Sequence, residues 1–204
     1  MSKFSGHVVG LDVDGVILDY VSAIMNFAKK NEVRIGCTVP EMNSWSMQCA
    51  FPDLNSDEIW GLIEDFNSSP DFGCIEPIEG AIKTIDAIHK EFPGVSLVAV
   101  TSAGESDVTR QLRIQNLKDI PFDEINVIPL GVSKYDHLIK LPRGSAFVDD
   151  LMKNIRTSED AQLTGVLFRQ PYNVEDDHDR VAHKWEDVHN HLREIILQST
   201  PAFA

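Results

Sequence analysis

Cysteines, basic side chains and long apolar runs are all scarce in this chain of 204 residues. The three cysteines, Cys37, Cys49 and Cys74, lie far apart and form no CxxC pair. A disulfide framework or a zinc site would need a larger and more closely spaced set, so we expect buried or free thiols in a reducing compartment. No signal peptide is recognised near Met1, and the cytoplasm is the expected location.

The shortage of basic residues bears on partners. Lys and Arg number 18 against 32 Asp and Glu, which leaves a net charge of −14. This argues against binding of a nucleic acid polymer, because neutralising its phosphates requires basic patches. A small phosphorylated substrate stays compatible, since a bound divalent cation reverses the local field. No apolar run approaches the roughly 20 residues of a transmembrane helix, so we expect no membrane partner.

Short apolar runs alternate with segments of helical periodicity along most of the chain. Strands are predicted where the apolar runs occur, at 8–11, 95–100, 125–128, 145–148 and 163–168. Helices are predicted between and after them, at 78–92, 106–117, 135–141, 151–161 and 181–197. Strands that alternate with helices predict an α/β fold with a parallel sheet covered on both faces.

The stretch from 17 to 76 interrupts this alternation. Helical patterns at 16–30 and 56–66 flank a polar region at 40–52 that contains Trp45. The stretch is too long for one crossover connection, and its many aromatic residues argue against disorder. We therefore predict a catalytic core formed by 1–16 and 77–204, with 17–76 inserted as a small helical cap subdomain.

Polar groups follow three of the predicted strands. Asp12 follows the first strand, Thr101 the second, and Asp149 and Asp150 the fourth. Ligands of open α/β sheets bind beyond the carboxyl ends of the strands, so these groups are expected to meet in one crevice. Clustered carboxylates repel one another unless a cation lies between them, and oxygen ligands without His or Cys suit Mg²⁺. Lys134, at the head of a predicted helix, can reach the same crevice.

A carboxylate nucleophile, a hydroxyl donor, an ammonium group and a metal together predict a phosphoryl-transfer site. We expect Asp12 to attack phosphorus and form an aspartyl-phosphate. Asp14 would protonate the leaving oxygen and later activate water. Mg²⁺ would be held by Asp12, the Asp14 backbone carbonyl and Asp150, with Asp149 nearby or bound through water.

Each of these residues also has a plainer interpretation. Thr101 and Lys134 would neutralise phosphoryl oxygens, but Thr101 and Ser102 can equally cap the helix that follows. Asp12 and Asp14 can be turn residues, and a single lysine lies by default on the surface. The occurrence of all four groups in order, each at the end of a predicted strand or helix, favours the catalytic interpretation.

The same residues resemble the four motifs of the haloacid dehalogenase (HAD) superfamily. The resemblance is carried by the segment DVDGV at 12–16, by Thr101-Ser102, by Lys134 and by Asp149-Asp150. It implies a Rossmann-like core with a small cap after the first strand, dependence on Mg²⁺, and the catalytic roles given above.

A narrower resemblance covers most of the chain and points to the 5′(3′)-deoxyribonucleotidases with their bacterial and phage relatives. The segment DVDGVILDY at 12–20 resembles the first motif of that family. The segments 69–81, 167–173 and 185–188 resemble its cap-to-core return, the stretch after its last core strand and its C-terminal helix.

The narrower resemblance implies a binding site for a nucleoside monophosphate. Aromatic residues of the cap stack on the base in that family, and by position the candidates are Tyr20, Trp45 and Phe72, with Ser102 as a further substrate contact. The chain departs from the mammalian members before Lys134, where the stretch GVS at 131–133 carries no basic residue. A second departure, AG at 103–104, also borders the pocket, so the preferred base and sugar stay open.

Three functions follow, of which the first two stay within the HAD superfamily and the third comes from another class. The first is a Mg²⁺-dependent phosphatase that hydrolyses (deoxy)nucleoside monophosphates, and the second is a HAD phosphatase of another small metabolite such as a sugar phosphate. The third is a catalytically silent binding module, of which loss of Asp12 or Asp14 would be the usual sign, and both are present. Small-cap members of the superfamily often use a partner subunit, so a homodimer also stays open.

Overall fold

The computed structural model describes residue 4 and residues 6–199. Within them the sheet has six strands, all parallel, in the order β3-β2-β1-β4-β5-β6. The strands are β1 (Val8–Leu11), β2 (Ser96–Ser102), β3 (Glu124–Ile128), β4 (Ala146–Asp149), β5 (Thr164–Phe168) and β6 (Val181–Ala182). The α/β class and the parallel sheet predicted from the sequence are confirmed.

Seven α-helices accompany the sheet in the described part of the chain. They are α1 (Tyr20–Lys30), α2 (Ser56–Asn67), α3 (Ala81–Glu91), α4 (Asp107–Asn116), α5 (Tyr135–Leu138), α6 (Met152–Asp160) and α7 (Trp185–Ser199). Short 3₁₀ helices occur at Val39–Glu41, Pro70–Cys74 and Pro171–Asn173. None of the helices in this part of the chain is long and apolar enough to span a bilayer.

Alternate residues of the central strands supply two separate hydrophobic clusters. In β1, Val9 and Leu11 belong to the larger cluster and Val8 to the smaller one. In β2, Leu97 and Val98 divide in the same way. Successive strand residues point to opposite faces, so a strand that is buried on both faces reads as a continuous apolar run.

The last predicted helix starts too early, and a short strand before it was not predicted. The helix predicted over 181–197 begins only at Trp185, and Val181 and Ala182 form β6, which pairs with β5 at Leu167 and Phe168. A strand of two residues is too short to show an alternating apolar pattern in the sequence. It is recognised only by its hydrogen-bonded pairing with β5.

Helix α4 agrees with the helix predicted at 106–117, but two of its apolar residues, Val108 and Ile114, do not lie in the core. Both side chains are about half exposed, at 54% and 47%, whereas Thr109 and Arg113 are buried. The buried face of this helix is therefore partly polar, and its hydrophobicity does not show which side faces inward.

The insertion between β1 and α3 leaves the sheet and returns to it at adjacent points. The Ile78 amide donates a hydrogen bond of 2.8 Å to the Ile17 carbonyl, and the Asp19 amide donates one of 2.9 Å to the Glu76 carbonyl. The predicted boundaries of core and cap fall at this paired crossing. The larger hydrophobic cluster includes residues of both segments, and the division into two subdomains stays a prediction.

Candidate active site

Asp12 lies where β1 leaves the centre of the sheet. Its backbone amide donates to the Val148 carbonyl at 2.9 Å, which extends the β1–β4 pairing by one residue. Its side chain therefore lies at the carboxyl edge of the strands, and Asp12 as a whole is 6% exposed. The Asp12 Oδ1 lies 2.7 Å from the Lys134 Nζ.

Lys134 immediately precedes α5 and bridges two acidic residues. Its Nζ also lies 2.7 Å from Asp149 Oδ2. Burial by itself would lower the pKa of Lys134, but the carboxylates of Asp12 and Asp149 outweigh it and raise the pKa above its ordinary value. Burial raises the pKa of Asp12 to about 7, against the opposing attraction of Lys134. Lys134 is thus a permanent cation beside the predicted nucleophile.

Asp149 is the last residue of β4 and has both carboxylate oxygens engaged. Its Oδ1 accepts from the Leu151 amide at 2.8 Å and from Asn154 Nδ2 at 3.0 Å. Its Oδ2 accepts from Lys134 and, at 3.0 Å, from Asn154. These bonds hold the carboxylate in one orientation, in which it positions Lys134.

Three buried carboxylates form a group that could hold a cation. Asp12, Asp149 and Asp150 each offer an oxygen, and the three oxygens lie within 4.8 Å of one another. Asp150 Oδ1 has no hydrogen-bond partner among the described residues, and its Oδ2 accepts from the Tyr172 hydroxyl. Burial raises the pKa of Asp150 well above its ordinary value, and the neighbouring Asp149 and Asp12 raise it further. An all-oxygen set with a free buried carboxylate oxygen fits Mg²⁺.

A tight turn after Asp14 brings the backbone close to this group. Gly15 has a φ of +76°, in the left-handed region, and a Cβ there would lie 2.6 Å from Asp150 Oδ2. The same Cβ would lie 2.5 Å from the Tyr172 hydroxyl oxygen. Gly15 is therefore required both by its backbone conformation and by the space that the acidic group occupies.

The Asp14 carboxylate is held by an arginine from α4. Arg113 Nη2 lies 2.6 Å from Asp14 Oδ1 and 2.5 Å from Asp14 Oδ2. The arginine is fully buried, and its guanidinium carbon lies 4.3 Å from the centre of the Phe72 ring. Burial raises the pKa of Asp14, and Arg113 acts in the opposite direction. In this structure the predicted acid-base residue is thus paired with a buried cation.

The two hydroxyl residues at the end of β2 point in different directions. Thr101, predicted to neutralise phosphoryl oxygens, is fully buried and is not among the cavity-lining residues, and its Oγ1 has no hydrogen-bond partner within the described chain. Ser102 is partly buried and lines the cavity that contains Asp12 and Lys134. Both belong to the strand itself, where adjacent side chains alternate between faces.

A cavity of about 220 Å³ lies above the acidic group. Asp12, Asp14, Lys134 and Asp150 are among the residues that line it. Lys153 of α6 also lines the cavity. The cavity therefore has a second basic residue besides Lys134, although the segment 131–133 before Lys134 carries none.

Two of the three predicted cap aromatics line this cavity. Tyr20 and Trp45 do so, with ring centroids 6.3 Å apart. The Tyr20 hydroxyl donates to Asn67 Oδ1 at 2.9 Å, and the Asn67 Nδ2 donates to the Ala103 carbonyl at 2.8 Å. This chain of hydrogen bonds connects α1, α2 and the end of β2 along the cavity wall.

Phe72 is the exception, because it is fully buried and is not among the cavity-lining residues. Its ring packs edge-on against Tyr20 and Phe66, at centroid distances of 6.5 and 5.7 Å. The interpretation of Phe72 as a stacking surface is therefore corrected: it supports Tyr20 and Arg113 from behind, and a base could not reach it in this structure.

Sequence reasoning missed three side chains of the site. Trp60 of α2 lines the cavity and is 49% exposed, which makes it the most accessible tryptophan there. Tyr172 bonds to Asp150, and Arg113 to Asp14. The resemblance at 167–173 points to the neighbourhood of Tyr172, and Trp60 belongs to a segment already assigned to the cap. Arg113 has no signal in the sequence, because it lies in a polar helix of unremarkable pattern.

The comparisons with known proteins agree with this geometry. The family model described as "5′ nucleotidase, deoxy (Pyrimidine), cytosolic type C protein" matches residues 6–198. No curated protein sequence matches the chain significantly.

Solved structures of HAD hydrolases share the fold at low sequence identity. The HAD-hydrolase YfnB from Bacillus subtilis, bound to magnesium, is 14% identical, with a TM-score of 0.59 and coverage of 92% of this chain and 98% of that one. A haloacid dehalogenase-like family hydrolase from Streptococcus pneumoniae is 16% identical, with a TM-score of 0.59 and the same coverage. A HAD-superfamily hydrolase of subfamily IA from Geobacter sulfurreducens is 18% identical, with a TM-score of 0.56 and coverage of 94% and 100%.

The sheet order, the clustered carboxylates beside a buried lysine, and a family match over nearly the whole chain lead to one conclusion. The chain belongs to the deoxy (pyrimidine) 5′-nucleotidase family of cytosolic type C, shares its fold with HAD hydrolases, and is a phosphoric monoester hydrolase.

Proposed function

We propose that the protein hydrolyses (deoxy)nucleoside 5′-monophosphates to a nucleoside and phosphate, with Mg²⁺ as cofactor and Asp12 as nucleophile. One observation carries the proposal. The buried Asp12 carboxylate, bound to Lys134 at 2.7 Å, lines a cavity whose walls also include Tyr20, Trp45 and Trp60. Charged groups for the phosphate and aromatic rings for the base match the two halves of a nucleotide.

In the first step, an Asp12 oxygen forms a bond to phosphorus while the bond from phosphorus to the ester oxygen breaks. The leaving nucleoside oxygen takes a proton from Asp14, which must first turn from Arg113 towards the cavity. In the second step Asp14 takes a proton from water, whose oxygen attacks the aspartyl-phosphate. Phosphate leaves, and the Asp12 carboxylate is restored.

Lys134 and Ser102 would hold the phosphoryl oxygens. The Lys134 ammonium is already fixed by two carboxylates, so little rearrangement is needed when charge develops in the transition state. Ser102 is the hydroxyl residue of β2 that lines the cavity, and Thr101 would support it from the buried side.

Mg²⁺ would be held by Asp12, Asp150 and the Asp14 backbone carbonyl, with Asp149 beside it. The support for this set is the buried, unpartnered Asp150 Oδ1 and the close approach of three carboxylates. When bound, the metal supplies positive charge that offsets the repulsion between Asp12 and the phosphate.

The base would lie against Trp60, with Tyr20 and Trp45 as the other aromatic residues of the wall. The cavity volume of about 220 Å³ is below the roughly 300 Å³ at which ligand pockets usually begin, so a nucleotide would fill it and extend towards the exposed Trp60. Stacking tolerates several bases, since every base offers a π-face. We expect limited discrimination between bases.

The proposal also includes the role of the cap, the cellular location and the oligomeric state. The segment 17–76 would act as a cap that excludes water from the aspartyl-phosphate step, over a core formed by 1–16 and 77–204. The cytoplasm would be the location. A homodimer, which the superfamily resemblance leaves open, is tested directly by the mass of the protein in solution.

Phosphate release from a panel of ribo- and deoxyribonucleoside monophosphates and sugar phosphates tests the proposal. The panel is run with Mg²⁺ and with EDTA, on the wild type, Asp12→Asn and the control Asp53→Asn, whose exposed carboxylate pairs with Arg34. We expect metal-dependent release from nucleotides that Asp12→Asn abolishes and Asp53→Asn leaves intact. Release from sugar phosphates alone would transfer the same chemistry to another substrate class, and no release at all would favour a binding module.

A further inference from the structure

Two of the three cysteines meet in the insertion, although nothing in their spacing suggests it. Cys37 and Cys49 are twelve positions apart, and their Sγ atoms lie 2.6 Å from each other. Both are partly buried, whereas Cys74 is exposed elsewhere. The separation is only slightly longer than the roughly 2.05 Å of a covalent sulfur–sulfur bond, so a small shift would join the two atoms.

The backbone beside the cysteines holds them together independently of their side chains. The Gly36 amide donates to the Ala50 carbonyl at 2.9 Å, which pairs the residue before Cys37 with the residue after Cys49. A Cβ at Gly36 would lie 2.6 Å from the Cys49 carbonyl oxygen, so the close approach of these two segments requires glycine. The proximity of the thiols is therefore built into the chain path.

The segment between the cysteines contributes to the catalytic cavity. It contains Trp45, which lines the cavity, and Met42, whose Sδ lies 3.8 Å from Cys37 Sγ and 3.6 Å from Cys49 Sγ. The Trp45 ring centroid lies 5.3 Å from that of Tyr172, the residue that bonds to Asp150. A disulfide between the cysteines would join the two ends of a loop that contains Trp45, and it would restrict the movement of this residue.

We propose that Cys37 and Cys49 form a reversible intramolecular disulfide that restrains the segment 38–48. The oxidant would be a low-molecular-weight disulfide of the glutathione class. A second cavity of about 480 Å³ is lined by Cys37 and Gly36, with Lys29 and Glu41 as its charged residues, and gives such a molecule access to Cys37.

The chemistry is two successive thiol–disulfide exchanges. The thiolate of one cysteine attacks a sulfur of the oxidant, forms a mixed disulfide and releases one small thiol. The thiolate of the other cysteine then attacks the protein sulfur of the mixed disulfide, forms the bond between Cys37 and Cys49 and releases the second small thiol. Two protein thiols are oxidised, one small disulfide is reduced to two thiols, and the two protein protons pass to the released thiols.

The test uses the full-length protein, reduced, freed of reductant and incubated with oxidised glutathione at about pH 8. After denaturation and alkylation, we expect intact-mass and peptide analysis to show a link between Cys37 and Cys49, with Cys74 unlinked to either. Amide hydrogen exchange over 38–48 should slow while exchange over α4 stays unchanged, and dithiothreitol should reverse the effect.

Three single variants provide the comparison. Cys74→Ser should behave as the wild type, whereas Cys37→Ser and Cys49→Ser should stop at a mixed disulfide with glutathione. Wild-type protein that stops at mixed disulfides, that links Cys74 instead, or that forms the bond without slower exchange over 38–48 would overturn the proposal. The wild-type result is decisive even if a serine variant fails to fold, and none of these readouts depends on the substrate of the enzyme.

Discussion

Replacement of Arg113 by methionine should destabilise the protein strongly, because it strands the Asp14 carboxylate. The arginine is fully buried and makes two short bonds to a side chain that is only 12% exposed. Removal of one partner of a buried ion pair costs about 3–5 kcal/mol, since the remaining charge has no compensation. Methionine keeps an apolar stem against Phe72, so the loss should come mainly from the charge. We therefore expect the free energy of unfolding of Arg113→Met to fall by about 3–5 kcal/mol near pH 8.

The double variant Asp14→Asn/Arg113→Met separates charge from packing. It contains no stranded carboxylate, so it should recover about 2 kcal/mol or more relative to Arg113→Met. Urea unfolding in EDTA, followed by circular dichroism, measures both differences. A loss below about 1 kcal/mol in the single variant, or a double variant as unstable as the single one, would refute the reasoning.

The contribution of the Asp14–Arg113 pair to the stability of the folded protein depends on pH. Burial places the pKa of Asp14 in the folded protein above that in the unfolded chain, and removal of Arg113 raises the folded pKa further. A folded pKa above the unfolded one means that protonation favours folding, so stability is gained as the pH falls through the folded pKa. The difference in the free energy of unfolding between wild type and Arg113→Met should therefore become smaller as the pH falls from about 8 to about 5.5. A constant difference would show that the ionisation of Asp14 is not its cause.

Three further predictions concern the base, the turn and the metal. Trp60→Ala should raise the KM for nucleoside monophosphates about tenfold, because the base loses its stacking partner, and should leave the KM of a small phosphomonoester without a base nearly unchanged. An equal rise in KM for both substrates would exclude stacking on this half-exposed ring. Gly15→Ala should lower both the urea midpoint and Mg²⁺ affinity more than Gly131→Ala, because both glycines have φ near +75° but only Gly15 has neighbours that a Cβ would strike. In EDTA, the Tm should fall as the pH rises through about 7, because the pKa of Asp12 is raised to about 7 in the folded protein. Added Mg²⁺ should therefore raise the Tm more at about pH 8 than at about pH 6. An equal rise at both pH values would contradict the assigned ligands.

The predicted elements match the structure best where burial is uniform. The apolar runs of β1 and β4 are enclosed on both faces, so the sequence there shows the strand directly. For α4 the sequence predicts the helix but not its orientation, because the buried face includes Arg113 and Thr109 while apolar side chains such as Val108 point outward. A hydrophobic pattern cannot show which face packs inward when the buried partner is itself a charged group.

The catalytic residues show a similar division. Asp12, Lys134 and Asp150 could be named from the sequence, because each lies at the end of a strand or at the head of a helix on the same sheet edge. The direction of a single side chain could not be inferred in the same way. Phe72 faces inward and Trp60 faces the cavity, although both belong to the aromatic set of the insertion.

Three properties could be inferred from the sequence: the parallel α/β architecture, the order of the acidic and basic groups along it, and an oxygen-rich donor set suited to Mg²⁺. These properties depend on local patterns and on the rule that the carboxyl ends of parallel strands meet at one edge. Two contacts became visible only in the folded chain: the pairing of Asp14 with a residue 99 positions away, and the meeting of Cys37 with Cys49. Such contacts are set by how whole elements pack, and no periodicity near either residue records them.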